Sequence, residues 1–209
     1  MPTRRRALLI LGSLSLLAVL SLGLALSVGS LPIPLLDVLA ALTGREVAGI
    51  DIVLELRLPR AIAGFACGGL LALAGALMQV LLRNPLADPY VLGISGGAGV
   101  GAMFAILLSL PVVGIDGLAF AGALGAMFIV FGLAHGDGSW TQTRLLLTGV
   151  IVAAGCGALV ALMLAIAEEH KLRGMLFWLM GDLGQAAQWW PALLTLVVAL
   201  SLAMPFARE

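Results

Sequence analysis

The chain has 209 residues, 62% hydrophobic and 11% charged, with 11 basic and 11 acidic side chains and a mean hydropathy of +1.16. Soluble domains are roughly 45–50% apolar and about 25% charged, so this composition excludes water as the main solvent of the fold. The balanced charge excludes a nucleic-acid footprint. The two cysteines, Cys67 and Cys156, lie inside apolar runs and read as small packing residues, not as a disulfide or a metal site.

The first predicted element is a span over 7–28, next to Arg4, Arg5 and Arg6. Its apolar run is longer than the core of a signal peptide, about 7–15 residues, so it reads as a retained helix. Windows of bilayer length follow at 61–82, 91–109, 117–134, 145–167 and 190–205, bounded by charged or proline-containing breaks. The alternating strands of a membrane barrel are not visible. The expected fold is an all-α integral membrane protein, a polytopic bundle of six spans forming a single domain over 1–209.

The connections carry the information. After the first span, Pro32 and Pro34 precede LLDVLAALTG, which predicts a short interfacial helix stopped at Gly44. Arg57, Pro59 and Arg60 stand before the second span, with proline suited to a first helical turn. Both arginines fit interfacial snorkelling. They also fit an acidic partner at the outer mouth, because they oppose the positive-inside trend. Gln79, an amide within a span, fits either an interhelical hydrogen bond or a substrate contact. Asn84-Pro85 and Asp88-Pro89 then predict a short, stiff turn.

Gly93, Ser95, Gly96 and Gly97 open the third span, where exposed N–H groups would meet an anion or glycines would pack closely. Small residues recur at four-residue spacing: Gly64, Gly68, Ala72 and Ala76; Gly93, Gly97 and Gly101; Gly149, Ala153, Gly157 and Ala161. Such rows suit tight helix packing and a pathway lined by short side chains equally. Between the last two spans, MLFWLMG is too short to cross and predicts a re-entrant or interfacial half-helix over Met175–Gly181, with Trp178, Trp189 and Trp190 at headgroup depth. His135 and His170 have no partners at metal-ligand spacing.

With the N-terminus inside, Arg4, Arg5, Arg6, Arg83, Arg144 and Arg208 face the cytoplasm, and Arg45, Arg57, Arg60, Lys171 and Arg173 face outward. The bias is narrow and favours a cytoplasmic N-terminus through the cluster beside the first span. Lys171 is the only lysine, and no P-loop occurs, so this chain does not bind and hydrolyse ATP by that route. Protease and hydrolase motifs are missing as well, as is a carboxylate pair within a span, which disfavours an intramembrane enzyme and proton coupling. Two non-enzymatic classes stay open, a transport subunit and a membrane scaffold or assembly protein.

The elements LRLPR, GALMQVLLRNPLADP, VLGISGGAGVG, RLLLTGV and LRGMLFWLMGDLG closely resemble the FecCD-type permeases, the membrane subunits of binding-protein-dependent ABC importers for iron-siderophores, haem and cobalamin. The resemblance covers nearly the whole chain. It implies a homodimer or paired heterodimer in the bacterial inner membrane, surrounded by lipid, with the pathway at the subunit interface. A periplasmic binding protein would dock outside and two ATPase subunits inside, and no cofactor is expected.

Matched to the family pattern, Arg57 and Arg60 are the binding-protein docking positions, and Asn84, Leu86, Gln142 and Thr143 the cytoplasmic gate. TQTR here replaces a more usual serine- and threonine-rich version. Gln79, Gly93, Ser95, Gly97, Trp178 and Met180 are the expected pathway-lining positions. Family members continue beyond a segment like PFARE into cytoplasmic coupling helices and further spans. A chain stopping at Glu209 is therefore expected to be the first part of a longer, ten-span subunit.

Overall fold

A computed structural model describes residues 4–135, 141–186 and 188–205; Arg208, counted above among the inward cations, lies outside them. The described residues are predominantly helical. The chain divides into two compact units, one within Met1–Leu70 and Leu183–Glu209, the other Leu71–Asp182.

The first unit holds α1 (Arg4–Ser27), α2 (Leu35–Leu42), a π-helical turn (Ile52–Arg57), the first half of α3 (Leu58–Leu82) and α8 (Trp190–Ala203). Of α1, Leu26 alone is buried, and its leucines from Leu8 to Leu24 are exposed, as suits a helix whose solvent is lipid. Two of its serines are satisfied within the helix: Ser13 and Ser21 donate to the Ile10 and Ala18 carbonyls, each at 2.9 Å. The core gathers at the C-terminal end of α1, where Leu26, Ile33, Val38, Ala41 and Val53 are buried together.

The predicted interfacial helix is α2. It ends where expected because Gly44 takes φ +79°, letting the Gly44 and Arg45 N–H groups close on the carbonyls of Ala41 and Ala40 at 3.0 Å each. The second predicted span starts earlier than expected: the helix is continuous over Ile52–Leu82. Pro59 is therefore inside a helix and not at its start. Proline lacks the N–H for the carbonyl four residues back and its ring crowds that carbonyl. The wider π turn immediately upstream, closed by Leu58 N–H to the Val53 carbonyl, accommodates it.

The second unit holds the rest of α3, α4 (Ile94–Leu107), α5 (Val112–Ala134), α6 (Gln142–Ile166) and α7 (Glu169–Met180). Here α4 packs against α5, α6 and α7, burying Gly97, Gly99, Ala102, Met103 and Ala105. Met103 shares a cluster with Ala102 and Met175, and Met78, Leu82, Leu92, Val130, Ala134 and Leu145 form another.

Among the described residues, four helices are long and apolar enough to cross a membrane: α1, the Ile52–Leu82 helix, α5 and α6. The predicted spans 91–109 and 190–205 correspond to 14-residue helices, α4 and α8. At about 1.5 Å per residue each reaches roughly 21 Å of the about 30 Å hydrocarbon core. The third window shortens because Pro89–Leu92 forms a 3-10 turn and Gly93, at φ +69°, separates it from α4. The half-helix expected over Met175–Gly181 is longer, the 12-residue α7. Its first turns, Glu169 to Arg173, are charged and were passed over by an apolar window, although such residues are good helix formers.

Candidate functional site

Arg57 and Arg60, the predicted docking positions, occupy different surroundings. Arg57 is half-buried at the end of the π turn. Its Nη1 donates to the Leu26 carbonyl at 2.7 Å and its Nη2 to the Leu31 carbonyl, so the guanidinium holds the last turn of α1 to the loop that leaves it. The loop passes so close that a Cβ on Gly29 would lie 2.7 Å from Nη2. Arg60, three residues on, is exposed, and its Nη2 reaches the Gly184 carbonyl at 3.4 Å, the long limit of a hydrogen bond. Beside it lies an open groove of about 590 Å³ lined in part by Glu55, Pro59, Arg60, Gln188, Trp189 and Trp190.

The turn after α3 is bonded to itself. Arg83 takes φ +45°. The Asn84 N–H closes on the Gln79 carbonyl at 3.1 Å, and the Asn84 Oδ1 accepts from Leu86 N–H at 2.9 Å. Asp88 repeats the device, accepting from Tyr90 N–H at 2.8 Å. Gln79 donates through Nε2 to the Pro85 carbonyl at 3.1 Å, a local brace that was neither of the uses considered for it. Leu86 is left 88% exposed at the tip, an apolar knob on a stiff base.

Gln142 and Thr143, both exposed, form the first turn of α6, which is capped by Thr141 Oγ1 accepting from Arg144 N–H at 3.3 Å. The residues flanking the predicted gate positions share one apolar cluster: Leu82 at the end of α3 and Leu92 in the 3-10 turn are buried with Leu145 of α6, and Ala87 packs against them.

The six predicted pathway positions separate. Gly93 and Gly97 are buried, and Ser95 between them is exposed. A Cβ on Gly93 would lie 3.0 Å from Ala153 N. One on Gly97 would overlap the Gly122 carbonyl and lie 2.6 Å from Ala126 Cβ. Gly101 meets Leu118 in the same way, and Gly149 meets Val91, so these glycines are helix contacts. Gly68, and Gly157 from the same row as Gly149, have no such neighbour within 4 Å. Gln79 and Met180 are exposed, and half-buried Trp178 packs on the Ala102/Met103/Met175 cluster.

One contact has no counterpart among the predicted sites. Lys171 Nζ donates to the Leu107 carbonyl at 2.7 Å, placing a cation at the C-terminal end of α4. Its signal in the sequence was a lone lysine against the positive-inside trend. Among the described residues, no three His, Cys, Asp or Glu side chains cluster as metal ligands. Exposed His170 and Glu168 approach each other at 3.4 Å.

Comparison with known proteins converges on one family. The chain is 39% identical over 188 residues to the cobalamin import system permease protein BtuC of Halobacterium salinarum, covering 87% of this chain and 50% of the relative. It is 43% identical over 162 residues to the hemin transport system permease protein HmuU of Yersinia pestis, covering 73% and 46%. It is 41% identical over 186 residues to the ferric enterobactin transport system permease protein FepD of Escherichia coli, covering 85% and 54%. The chain thus spans about half the length of the curated relatives it matches. A solved metal-chelate type ABC transporter in an inward-facing conformation superimposes with a TM-score of 0.75 at 27% identity, over 94% of this chain and 60% of that one. The relatives are permease proteins, transport components and not catalysts, and the apolar helices agree with a multi-pass membrane protein. The model of the FecCD transport family matches residues 16–209, and the chain belongs to that family.

Proposed function

We propose that this chain forms the membrane-spanning permease part of a binding-protein-dependent ABC importer that moves an iron-siderophore, haem or cobalamin across the bacterial inner membrane. The observation that carries the reading is the family match over residues 16–209, supported by relatives named for cobalamin, hemin and ferric enterobactin transport. Iron chelates are the favoured substrates within that class.

In this reading six segments cross the bilayer, α4 and α8 completing their crossings with flanking residues, α7 lies as a half-helix at the outer side, and the N-terminus is cytoplasmic. Two ATPase subunits act from inside, a second permease subunit completes the pathway, and a periplasmic binding protein docks at the rim carrying Arg57 and Arg60. Leu86 on its braced turn, with Asn84, Gln142 and Thr143, forms the cytoplasmic gate. A bulky exposed leucine closes a pore by filling it and excluding water. Gln79, Ser95, Trp178 and Met180 line the route, and Gly93 and Gly97 shape it by letting helix backbones approach.

Purification of the full-length gene product with its neighbouring gene products tests the reading. Co-purification of a P-loop ATPase and a periplasmic binding protein is expected. If neither accompanies it, the importer reading fails and the scaffold alternative takes its place.

A further inference from the structure

We propose that Lys171 is a positioning residue for transport: by capping the Leu107 carbonyl it seats α7 on α4 and so fixes the face of α7 that carries Phe177 and Met180. The transport half of this inference rests on the importer reading; the seating of α7 stands on the fold alone.

The chain reverses tightly at the end of α4. The Leu108, Ser109 and Leu110 N–H groups close on the carbonyls of Phe104, Ile106 and Ala105 at 3.1, 2.9 and 3.0 Å, with Ser109 at φ +56°. The next carbonyl is that of Leu107. Its regular helical donor would be the N–H of residue 111, which is proline and has none. A carbonyl left bare beside lipid is costly. Half-buried Lys171 supplies the missing donor at 2.7 Å. The lysine serves α4 and not its own helix: it stands in the first turn of α7, where the helix dipole disfavours a cation, whereas the C-terminal end of α4 favours one. Met175 and Trp178, further along the same side of α7, pack with Ala102 and Met103 of α4. The other side of α7 is open: Leu176, Phe177 and Met180 are exposed and line a groove of about 370 Å³ with Glu169, Leu172 and Arg173. Met175 and Trp178 thus anchor the C-terminal half of α7, and Lys171 anchors its first turn. Without that second anchor the helix is free to tilt about Met175, which displaces Phe177 and Met180.

The test compares Lys171, Lys171→Met and Lys171→Arg in the full-length permease by two measurements. The first is the distance distribution between spin labels on cysteines at exposed Phe120 of α5 and Glu169 of α7, in lipid nanodiscs and a background lacking Cys67 and Cys156. The second is uptake of labelled iron chelate, haem or cobalamin by proteoliposomes holding the permease with its ATPase and binding protein. Lys171→Met should lower the ratio of seated to unseated α7 about tenfold, the share of one charge-assisted bond, and broaden the distance distribution. Uptake per ATP-hydrolysing complex should fall about tenfold through kcat, with KM for the loaded binding protein unchanged. Lys171→Arg, which keeps a cationic donor, should restore both. The inference is overturned if Lys171→Met keeps the wild-type distribution or the wild-type uptake, or if Lys171→Arg fails to restore them. If the wild-type complex imports none of the three substrates, the importer reading and the transport role of Lys171 fall together, and the distance distribution still decides whether Lys171 seats α7.

Discussion

Gly97 of α4 and Gly122 of α5 face each other so closely that a Cβ on either would overlap the other's carbonyl oxygen. Two backbones in contact replace the side-chain interlock of a soluble core, and in lipid, where apolar burial supplies little drive, such close packing is a principal source of helix association. Gly97→Ala is expected to lower stability by about 1–3 kcal/mol, the range of overpacking in a close-fitted interior. Gly68→Ala and Gly157→Ala, which meet nothing within 4 Å in the described structure, should change it little. Unfolding in mixed detergent micelles, followed by circular dichroism, separates the two outcomes; equal effects at all three positions would contradict the α4–α5 contact.

Lys171 makes the second prediction. Its bond to the Leu107 carbonyl joins α7 to the end of α4. Lys171→Met keeps most of the apolar stem and removes the donor, which should cost about 1–3 kcal/mol for a charge-assisted bond to a helix end. Faster hydrogen exchange at the C-terminal end of α4 is the measurement, and Lys171→Arg should largely restore protection.

Much of this was legible in the sequence, for reasons of scale. Bilayer thickness is a coarse ruler, so α1, α5, α6 and the body of α3 follow from apolar windows of sufficient length. The start of α3 was misjudged because Pro59 normally opens a helix, and only the π turn before it explains how the helix continues upstream. The charged first half of α7 was passed over because hydropathy windows stop at charge, whereas helix propensity does not. Four-residue spacing identified the glycine rows without ranking their members. Whether Gly97 or Gly68 is packed depends on which helix passes by, a non-local fact. Arg57 and Arg60 likewise look equivalent in LRLPR, and their separation depends on carbonyls at Leu26 and Leu31, more than twenty residues away.

Orientation is the third prediction. Arg57 and Lys171, two of the five cations assigned to the outer side, are bonded to backbone carbonyls of Leu26, Leu31 and Leu107. As internal braces they carry less weight as topology signals, which strengthens the case for a cytoplasmic N-terminus. In a variant lacking Cys67 and Cys156, a cysteine at Arg45 should react with a membrane-impermeant maleimide in spheroplasts, and one at Leu86 only after lysis. The reverse pattern would invert the topology.

The fourth prediction concerns backbone strain. Arg83 and Ser109 adopt positive φ at the ends of α3 and α4, where glycine is the usual occupant. Arg83→Gly should relieve the left-handed penalty and, after its own entropy cost in the unfolded chain, stabilise by about 0.5–1 kcal/mol. Thermal unfolding with a raised midpoint supports this geometry of the turn beneath Leu86; a lowered midpoint contradicts it.

The most direct measurement is uptake. Proteoliposomes carrying the full-length permease with its neighbouring ATPase, loaded with ATP and given binding protein and a labelled iron chelate, haem or cobalamin outside, should accumulate one of these substrates. Accumulation should require both ATP and the binding protein, and it should fall at least tenfold with Arg60→Glu while ATPase and permease remain assembled. Assembled, ATP-hydrolysing complexes that accumulate none of the three substrate classes would contradict the account.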